Sequence, residues 1–211
     1  VTLMDRNPDR AWAARHNAAM ASGRRCPTAA ADVTKVGLAG RWFHLDPSRR
    51  ADGRRFHRYE ALTPGPTFIE PLIRACPGGA LKLSPGVDLA SLPAGEVEFI
   101  SDGGRLRQAV LWVGRLAGPR RSATVLPAGE TLSGEPGAPA VTRAPGGYLL
   151  AVDPAVERAE LVGRLAERLD APALHPKLGL LTRDPPVDHD PFVTCFERLD
   201  TLPFREKRLK Q

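Results

Sequence analysis

The chain has 211 residues, of which 42% are hydrophobic, which suffices to bury the core of one large domain or two small ones. Thirty Lys and Arg against 24 Asp and Glu give a formal net charge of +6, which favours a polyanionic partner such as nucleic acid. No apolar run approaches the roughly 20 residues that a membrane-spanning helix needs, and the charged N-terminus is unlike a signal peptide. These features exclude the membrane-spanning class and predict a globular protein.

The three cysteines are Cys26, Cys76 and Cys195, an odd number at wide spacing and without a Cys-x-x-Cys pair. This pattern predicts neither a disulfide framework nor a structural zinc site. A reducing compartment is the simplest interpretation, and we expect a cytoplasmic protein. The sequence Asp188-His189-Asp190 lacks a third ligand at a fixed spacing, so we expect a loop there and no metal site.

The first 32 residues have the pattern of a β-α-β unit. Residues 1–4 form an apolar run that ends at Asp5, and a helix is predicted from Pro8 to about residue 20 because proline suits the first helical position. Residues 26–31 form a second strand-like run, which ends at Asp32. Each of these carboxylates could also be a cap or a turn residue.

An arginine-rich stretch follows at residues 41–58, where six arginines stand against two aspartates. Residues 42–45 predict a strand, and Pro47 confines Asp46 to extended geometry at its carboxyl end. Ligands bind at that end of the strands in open α/β sheets. We therefore predict that Asp5, Asp32 and Asp46 share one edge of a sheet and that the arginines meet an anionic partner; a solvated charged loop is the alternative.

The next part of the chain continues the alternation of helix and strand. The sequence Asp102-Gly103-Gly104 between two strand-like runs predicts a hairpin, which adds an antiparallel edge to the sheet. The predicted elements are a helix at 67–76 and strands at 80–83, 96–101, 106–114 and 122–126.

Residues 127–147 contain nine Pro and Gly in 21 positions, which is linker composition without strand or helix periodicity. We place a domain boundary there, with one domain at 1–130 and a second at 147–211. In the second domain, the patterns predict strands at 147–152, 177–181 and 192–199 and one helix from Asp153-Pro154 to about Leu169.

The order of these elements resembles class I S-adenosylmethionine-dependent methyltransferases, and in particular the bacterial ones that carry a C-terminal THUMP-like domain. The first domain carries the resemblance at residues 45–50, 53–55, 81–86 and 96–101, and the second at residues 147–204. The resemblance implies an α/β fold: a partial Rossmann-like methyltransferase sheet with its first strand missing and an antiparallel hairpin at the edge, followed by a small α+β THUMP-like domain. The family's glycine-rich turn has no counterpart here, and we expect it upstream of Val1.

The same resemblance implies roles for individual residues. Asp5 corresponds to the carboxylate that binds the ribose hydroxyls of S-adenosyl-L-methionine, and Asp32 corresponds to the residue beside the adenine. Asp46, Pro47 and Ser48 occupy the catalytic motif that faces the methyl-accepting group.

Our leading hypothesis is a methyltransferase that uses S-adenosyl-L-methionine and acts on RNA, with Arg49, Arg50 and Arg54 as the substrate-binding residues. Ser48 and Arg49 stand where amino-methylating relatives have a second proline and an aromatic residue that stacks on a flipped base, which argues against N6-adenine chemistry. The cysteine-nucleophile chemistry of pyrimidine C5 methylation is disfavoured because Cys26 and Cys76 precede their strands. The alternative function is a non-catalytic nucleic-acid-binding protein with a degenerate methyltransferase-like fold.

Overall fold

The computed structural model describes residues 1–51, 54–55 and 58–202, with the backbone alone for residues 50, 51, 54 and 55. Its first three elements are β1 (Leu3–Asp5), α1 (Pro8–Ser22) and β2 (Thr28–Ala30). β1 and β2 pair in parallel as a sheet of their own, which confirms the predicted β-α-β unit. The Asn7 side chain accepts hydrogen bonds from the first helical N–H groups of α1, and Gly23 ends the helix at φ 67°, a left-handed conformation that favours glycine.

The next elements build the largest sheet. They are β3 (Phe43–Leu45), β4 (Arg50–Ala51), β5 (Arg54–Arg55), α2 (Pro66–Ala75), β6 (Gly78–Leu83), β7 (Glu96–Asp102), β8 (Arg105–Gly114), β9 (Arg121–Leu126) and β10 (Glu130–Gly134). Six of these strands form a mixed sheet in the spatial order β10-β9-β7-β8-β6-β3. β3 pairs with β6 in parallel and β7 pairs with β9 in parallel, whereas the other neighbours are antiparallel. The fold is therefore α/β with a mixed sheet.

The hairpin of β7 and β8 forms as predicted, but its predicted position at the edge of the sheet is wrong. β9 pairs in parallel with β7, and β10 then pairs with β9, so both hairpin strands lie inside the sheet. β10 falls within residues 127–147, for which no strand was predicted. The physical reason is a tight turn at Gly129, with φ 74°, that returns the chain so that Leu132 is buried in the core.

The C-terminal elements are β11 (Tyr148–Val152), α3 (Pro154–Arg158), α4 (Val162–Leu169), β12 (Leu180–Arg183) and β13 (Val193–Glu197). The three strands form an antiparallel sheet in the order β12-β11-β13. The single helix predicted here is divided into α3 and α4 because Glu160 adopts φ 62°. The Gly137 N–H donates to the Glu160 carbonyl, and the Gly163 N–H donates to the Gly137 carbonyl. In a continuous helix these backbone groups of Glu160 and Gly163 would form hydrogen bonds within the helix.

One cluster of buried apolar side chains joins the six-stranded sheet to the C-terminal elements. Phe99 and Leu111 contribute from the sheet, and Val156 and Leu165 contribute from α3 and α4, all essentially without solvent exposure. α3 packs against β7, β8 and β9. The C-terminal elements thus share their core with the large sheet within the described residues.

Candidate functional site

Two of the predicted site carboxylates lie at the carboxyl ends of neighbouring parallel strands. Asp5 is the last residue of β1, and Asp32 follows β2 by two residues. The Ala31 N–H donates to the Asp5 carbonyl over 3.0 Å, which extends the pairing of the two strands to this end. The prediction that Asp5 and Asp32 lie at one sheet edge is therefore confirmed.

Each of these carboxylates has one oxygen engaged locally. The Asn7 N–H donates to Asp5 Oδ1 over 2.8 Å, and both the hydroxyl and the N–H of Thr34 donate to Asp32 Oδ1, over 2.7 and 3.0 Å. The hydrogen bonds from the Thr34 hydroxyl and then its N–H hold the pKa of Asp32 below its ordinary value, so this group is a carboxylate at neutral pH. The second oxygen of each group has no hydrogen-bond donor within the described part of the chain.

Asp46 lies in a different sheet from the other two carboxylates, so the prediction of one edge shared by all three is wrong. β3, which ends just before Asp46, pairs with β6 and not with β1 or β2. Among the described strands none bridges β1 and β3, and the strand-end pattern alone carries no information on which strands are neighbours. Asp46 instead forms an ion pair with a side chain on the neighbouring strand β6.

That partner is Lys82 on β6, whose Nζ atom lies 3.1 Å from Asp46 Oδ2. Leu45 pairs with Leu81 in the parallel register, so the next residue of each strand brings the two charges together at the carboxyl end. Lys82 is one-third exposed, and it is the single residue of β6 that is not buried. Sequence reasoning missed it, although a lone lysine in an otherwise apolar strand was a usable signal.

The backbone after Asp46 is held firmly. Pro47 is buried, and the N–H and carbonyl of Ser48 exchange hydrogen bonds with Thr63 over 2.8 and 3.0 Å. This bridge fixes the motif that the resemblance assigns to the methyl acceptor. It also joins the two ends of residues 49–62, which contain five of the six arginines of the 41–58 stretch.

The three predicted substrate-binding arginines lie where the structure describes the chain only in part. Arg49 is partly exposed, and its guanidinium forms no ion pair within the described part of the chain. The backbones of Arg50 and Arg54 belong to β4 and β5, which pair antiparallel with Arg50 opposite Arg55. The side chains of Arg50 and Arg54 lie outside the described residues.

Among the described residues no group of three or more His, Cys, Asp or Glu could hold a metal ion. All three cysteines are free, and Cys76 donates to the Leu38 carbonyl. None of the described helices combines the length and apolar character that crossing a membrane requires.

The chain was compared with known proteins by sequence and by fold. No protein-family model matches the chain. The chain is 34% identical, over 98% of its length, to uncharacterized S-adenosylmethionine-dependent methyltransferases of Mycobacterium tuberculosis strains CDC 1551 / Oshkosh and ATCC 25618 / H37Rv. It spans 58% of the length of these relatives.

The fold is also similar to that of a crystal structure described as a "putative methyltransferase" from Porphyromonas gingivalis W83. The TM-score is 0.69 at 19% sequence identity, and the match covers 99% of this chain and 57% of that one. By sequence and by fold, then, nearly the whole of this chain is similar to a little over half of proteins described as methyltransferases.

Proposed function

We propose that this chain belongs to the catalytic apparatus of an S-adenosylmethionine-dependent methyltransferase that acts on RNA. The observation that carries the proposal is the 34% identity, over 98% of the chain, to relatives described as methyltransferases with that cofactor. The net charge of +6 and the arginine-rich stretch at 41–58 support an RNA acceptor, because cationic surfaces attract the phosphate backbone.

The residues at the ends of β1 and β2 fit the polar half of the cofactor. Asp5 and Asp32 each keep one carboxylate oxygen without a donor among the described residues, which suits the two ribose hydroxyls and the exocyclic amine of adenine. Bound S-adenosylmethionine supplies an electrophilic methyl group on its sulfonium. Asp5 would hold the ribose and Asp32 the adenine, which fixes the orientation of that group.

On the acceptor side, Asp46 would accept a hydrogen bond from an amino or hydroxyl group of the RNA. The ion pair with Lys82 engages one oxygen of Asp46, and Pro47 and Ser48 fix its backbone. Transfer of a methyl group in a straight line depends on positioning of the acceptor more than on acid-base chemistry. Arg49, Arg50 and Arg54 would bind the flanking phosphates.

The experiment that tests the cofactor site is titration calorimetry of the full-length protein with S-adenosylmethionine. Asp5→Asn and Asp32→Asn each keep an oxygen for the local hydrogen bonds but replace the other oxygen with a donor. We expect each to weaken binding about tenfold, since a hydrogen bond to a charged group contributes roughly 1.5 to 3 kcal/mol. Asp9→Asn, at an exposed position in the first turn of α1, is the matched control.

The RNA contact is tested by the salt dependence of binding. Changing Arg49, Arg50 and Arg54 together to Ala should reduce the slope of log affinity against log salt by about 0.7 for each lost phosphate contact. Arg105 and Arg143, which are exposed elsewhere on the chain, serve as the control pair. An unchanged slope in the triple variant would contradict the assignment of these arginines.

A second candidate function is a nucleic-acid-binding protein without catalytic activity. It is favoured by the fact that Asp5 and Asp32 already serve local turns through one oxygen each. Titration with S-adenosylmethionine distinguishes the two functions. A non-catalytic binding protein would bind RNA, but neither the wild type nor any variant would bind S-adenosylmethionine.

Three finer assignments belong with this proposal. Residues 147–211 would form the THUMP-like domain, with residues 1–130 as the methyltransferase domain, and the protein would act in the cytoplasm. The antiparallel strands β11, β12 and β13 with α3 and α4 support an α+β unit at 147–202. Residues 203–211 lie outside the described part.

A further inference from the structure

An aromatic and basic surface on α1 has no part in the proposed site. Trp12 is 67% exposed, and its indole stacks on the His16 imidazole with ring centroids 5.5 Å apart and planes 10° apart. The two residues are four positions apart, so they lie on one face of the helix. Stacking on His16 fixes the indole and leaves its other face open.

Two cations border the same surface. Arg15 and Arg25 line, with Trp12, His16 and Ala19, a shallow depression of about 260 Å³. Both arginines are exposed, and neither forms an ion pair within residues 1–51, 54–55 and 58–202. No carboxylate lines the depression. We call these five residues the Trp12 surface.

The packing of α1 does not account for an exposed tryptophan here. Ala11 is the one buried residue of the helix, and α1 makes its main contacts with β1 and β2. An exposed indole that shares a depression with two guanidinium groups has the chemistry of a base-stacking platform, in which an aromatic face receives an unpaired base and the cations receive its phosphates. Bases inside a duplex are stacked on one another and could not reach the indole.

We propose that the Trp12 surface binds single-stranded RNA, with a base stacked on Trp12 and the adjacent phosphates paired with Arg15 and Arg25. The inference rests on the proposed function for its choice of RNA as the partner. It gives the protein a second point of contact with that RNA, carried by the helix that follows the Asp5 strand. Its effect is to hold an unpaired segment of the acceptor on the same β-α-β unit that carries Asp5 and Asp32.

The experiment is a binding titration of the full-length protein with a ten-nucleotide oligouridine, followed by tryptophan fluorescence and by anisotropy of a labelled strand. Trp12→Ala should weaken binding about tenfold, as expected for loss of one base-aromatic stack, and should abolish most of the fluorescence change. Trp12→Phe should retain most of the affinity. Changing Arg15 and Arg25 together to Ala should lower the salt slope by about 1.4.

The matched control lies on the same chain. Arg10 is exposed on α1 about 200° around the helix from Trp12, so Arg10→Ala should leave affinity and salt slope near those of the wild type. Because Trp12 is exposed, Trp12→Ala should melt like the wild type, which circular dichroism checks.

An abasic strand of equal length separates stacking from charge, since Trp12→Ala should not affect its binding. The proposal is overturned if Trp12→Ala binds oligouridine as the wild type does, if it weakens the abasic strand equally, or if the surface binds vesicles of anionic phospholipid and not the strand. These outcomes leave the methyltransferase proposal standing, because that proposal is decided by cofactor binding in Asp5→Asn. Loss of cofactor binding alone, conversely, leaves the Trp12 surface as proposed.

Discussion

The ammonium group of Lys82 lies 3.1 Å from a carboxylate oxygen of Asp46, at the carboxyl ends of two parallel strands. The side chains are 33% and 53% exposed, and an ion pair this exposed contributes at most about 1 kcal/mol to stability. A charged residue in an otherwise buried strand is therefore poorly explained by stability. It is better explained as a group that orients Asp46.

The first prediction concerns Lys82→Met, which removes the charge and keeps an apolar stem. The free energy of unfolding should change by less than about 1 kcal/mol. Under the proposed function, methyl transfer should lose up to about fivefold in kcat/KM, since the ion pair that orients Asp46 contributes at most about 1 kcal/mol. Denaturant titration and a transfer assay with saturating cofactor measure the two effects.

The control for Lys82 is a second exposed ion pair on the same sheet. Arg107 lies 3.7 Å from Asp102, with side chains 54% and 51% exposed. Arg107→Met should change neither stability nor kcat/KM appreciably. If Lys82→Met behaves as Arg107→Met does, the pair with Asp46 has no role in the reaction.

Local sequence signals predicted the parts of the site that depend on near neighbours. Asp5 is the last residue of its strand and Asp32 follows its strand by two residues, and Asn7, Pro8 and Gly23 delimit α1 through ordinary capping chemistry. Such features need no knowledge of the sheet order. They were therefore readable from residues close together in the chain.

Features that depend on distant pairings could not be predicted in this way. Lys82 meets Asp46 across 36 positions because β6 lies beside β3, and no local pattern specifies that neighbour. The same holds for the division between α3 and α4, where Gly137 supplies backbone partners for Glu160 and Gly163. A segment rich in glycine and proline has the composition of a linker even when its backbone groups form hydrogen bonds with distant parts of the chain.

The second prediction concerns the alkaline limit of stability. Tyr59 is almost fully buried, and its hydroxyl has no hydrogen-bond partner among the described residues. Burial, with a smaller effect of Glu70 and Glu60, raises the pKa of Tyr59 to about 12. The unfolded chain loses this proton near its ordinary pKa of 10, so the native state binds more protons between those values and stability falls as pH rises from about 10 to about 12.

Tyr59→Phe tests this directly. The substitution removes the unpaired hydroxyl, so at neutral pH we expect a free energy of unfolding that is unchanged or higher by up to about 1 kcal/mol. The loss of stability above pH 10 should become shallower. Tyr148→Phe leaves Tyr59 as the one remaining tyrosine, and its ultraviolet absorbance should then report ionisation near pH 12. Ionisation near pH 10 in the folded protein would contradict the burial of this hydroxyl.

The third prediction concerns a carboxylate that joins three strands of the large sheet. Glu98 on β7 accepts hydrogen bonds from Trp112 Nε1 on β8 over 2.8 Å and from the Thr124 hydroxyl on β9 over 2.6 Å. Glu98→Ala leaves both donors without this acceptor, so we expect a loss of about 1 to 3 kcal/mol in the free energy of unfolding. Glu130→Ala, at an exposed position on β10, should be nearly neutral in the same denaturant titration.

The fourth prediction concerns the contact of Arg158 that links the C-terminal elements to the large sheet, which we call the Arg158 contact. Arg158 on α3 donates from Nε to the Pro85 carbonyl over 2.9 Å and from Nη2 to the Val87 carbonyl over 2.6 Å. Its guanidinium also lies 5.0 Å from the centre of the Phe99 ring. Arg158→Met keeps the apolar stem but loses both hydrogen bonds, so we expect a loss of about 2 kcal/mol or more in the free energy of unfolding.

The same substitution should change where a protease first cuts. Residues 127–147 are held by β10 and by backbone hydrogen bonds of Gly137 and Thr142 with the C-terminal elements, so cleavage there requires those elements to loosen. Limited thermolysin digestion should cut this segment of Arg158→Met several times faster than that of the wild type. Arg105→Met, at an exposed position on the hairpin, should be cut at the wild-type rate. Equal cleavage rates in Arg158→Met and Arg105→Met would mean that the segment opens independently of the Arg158 contact, as expected for a flexible linker between two domains.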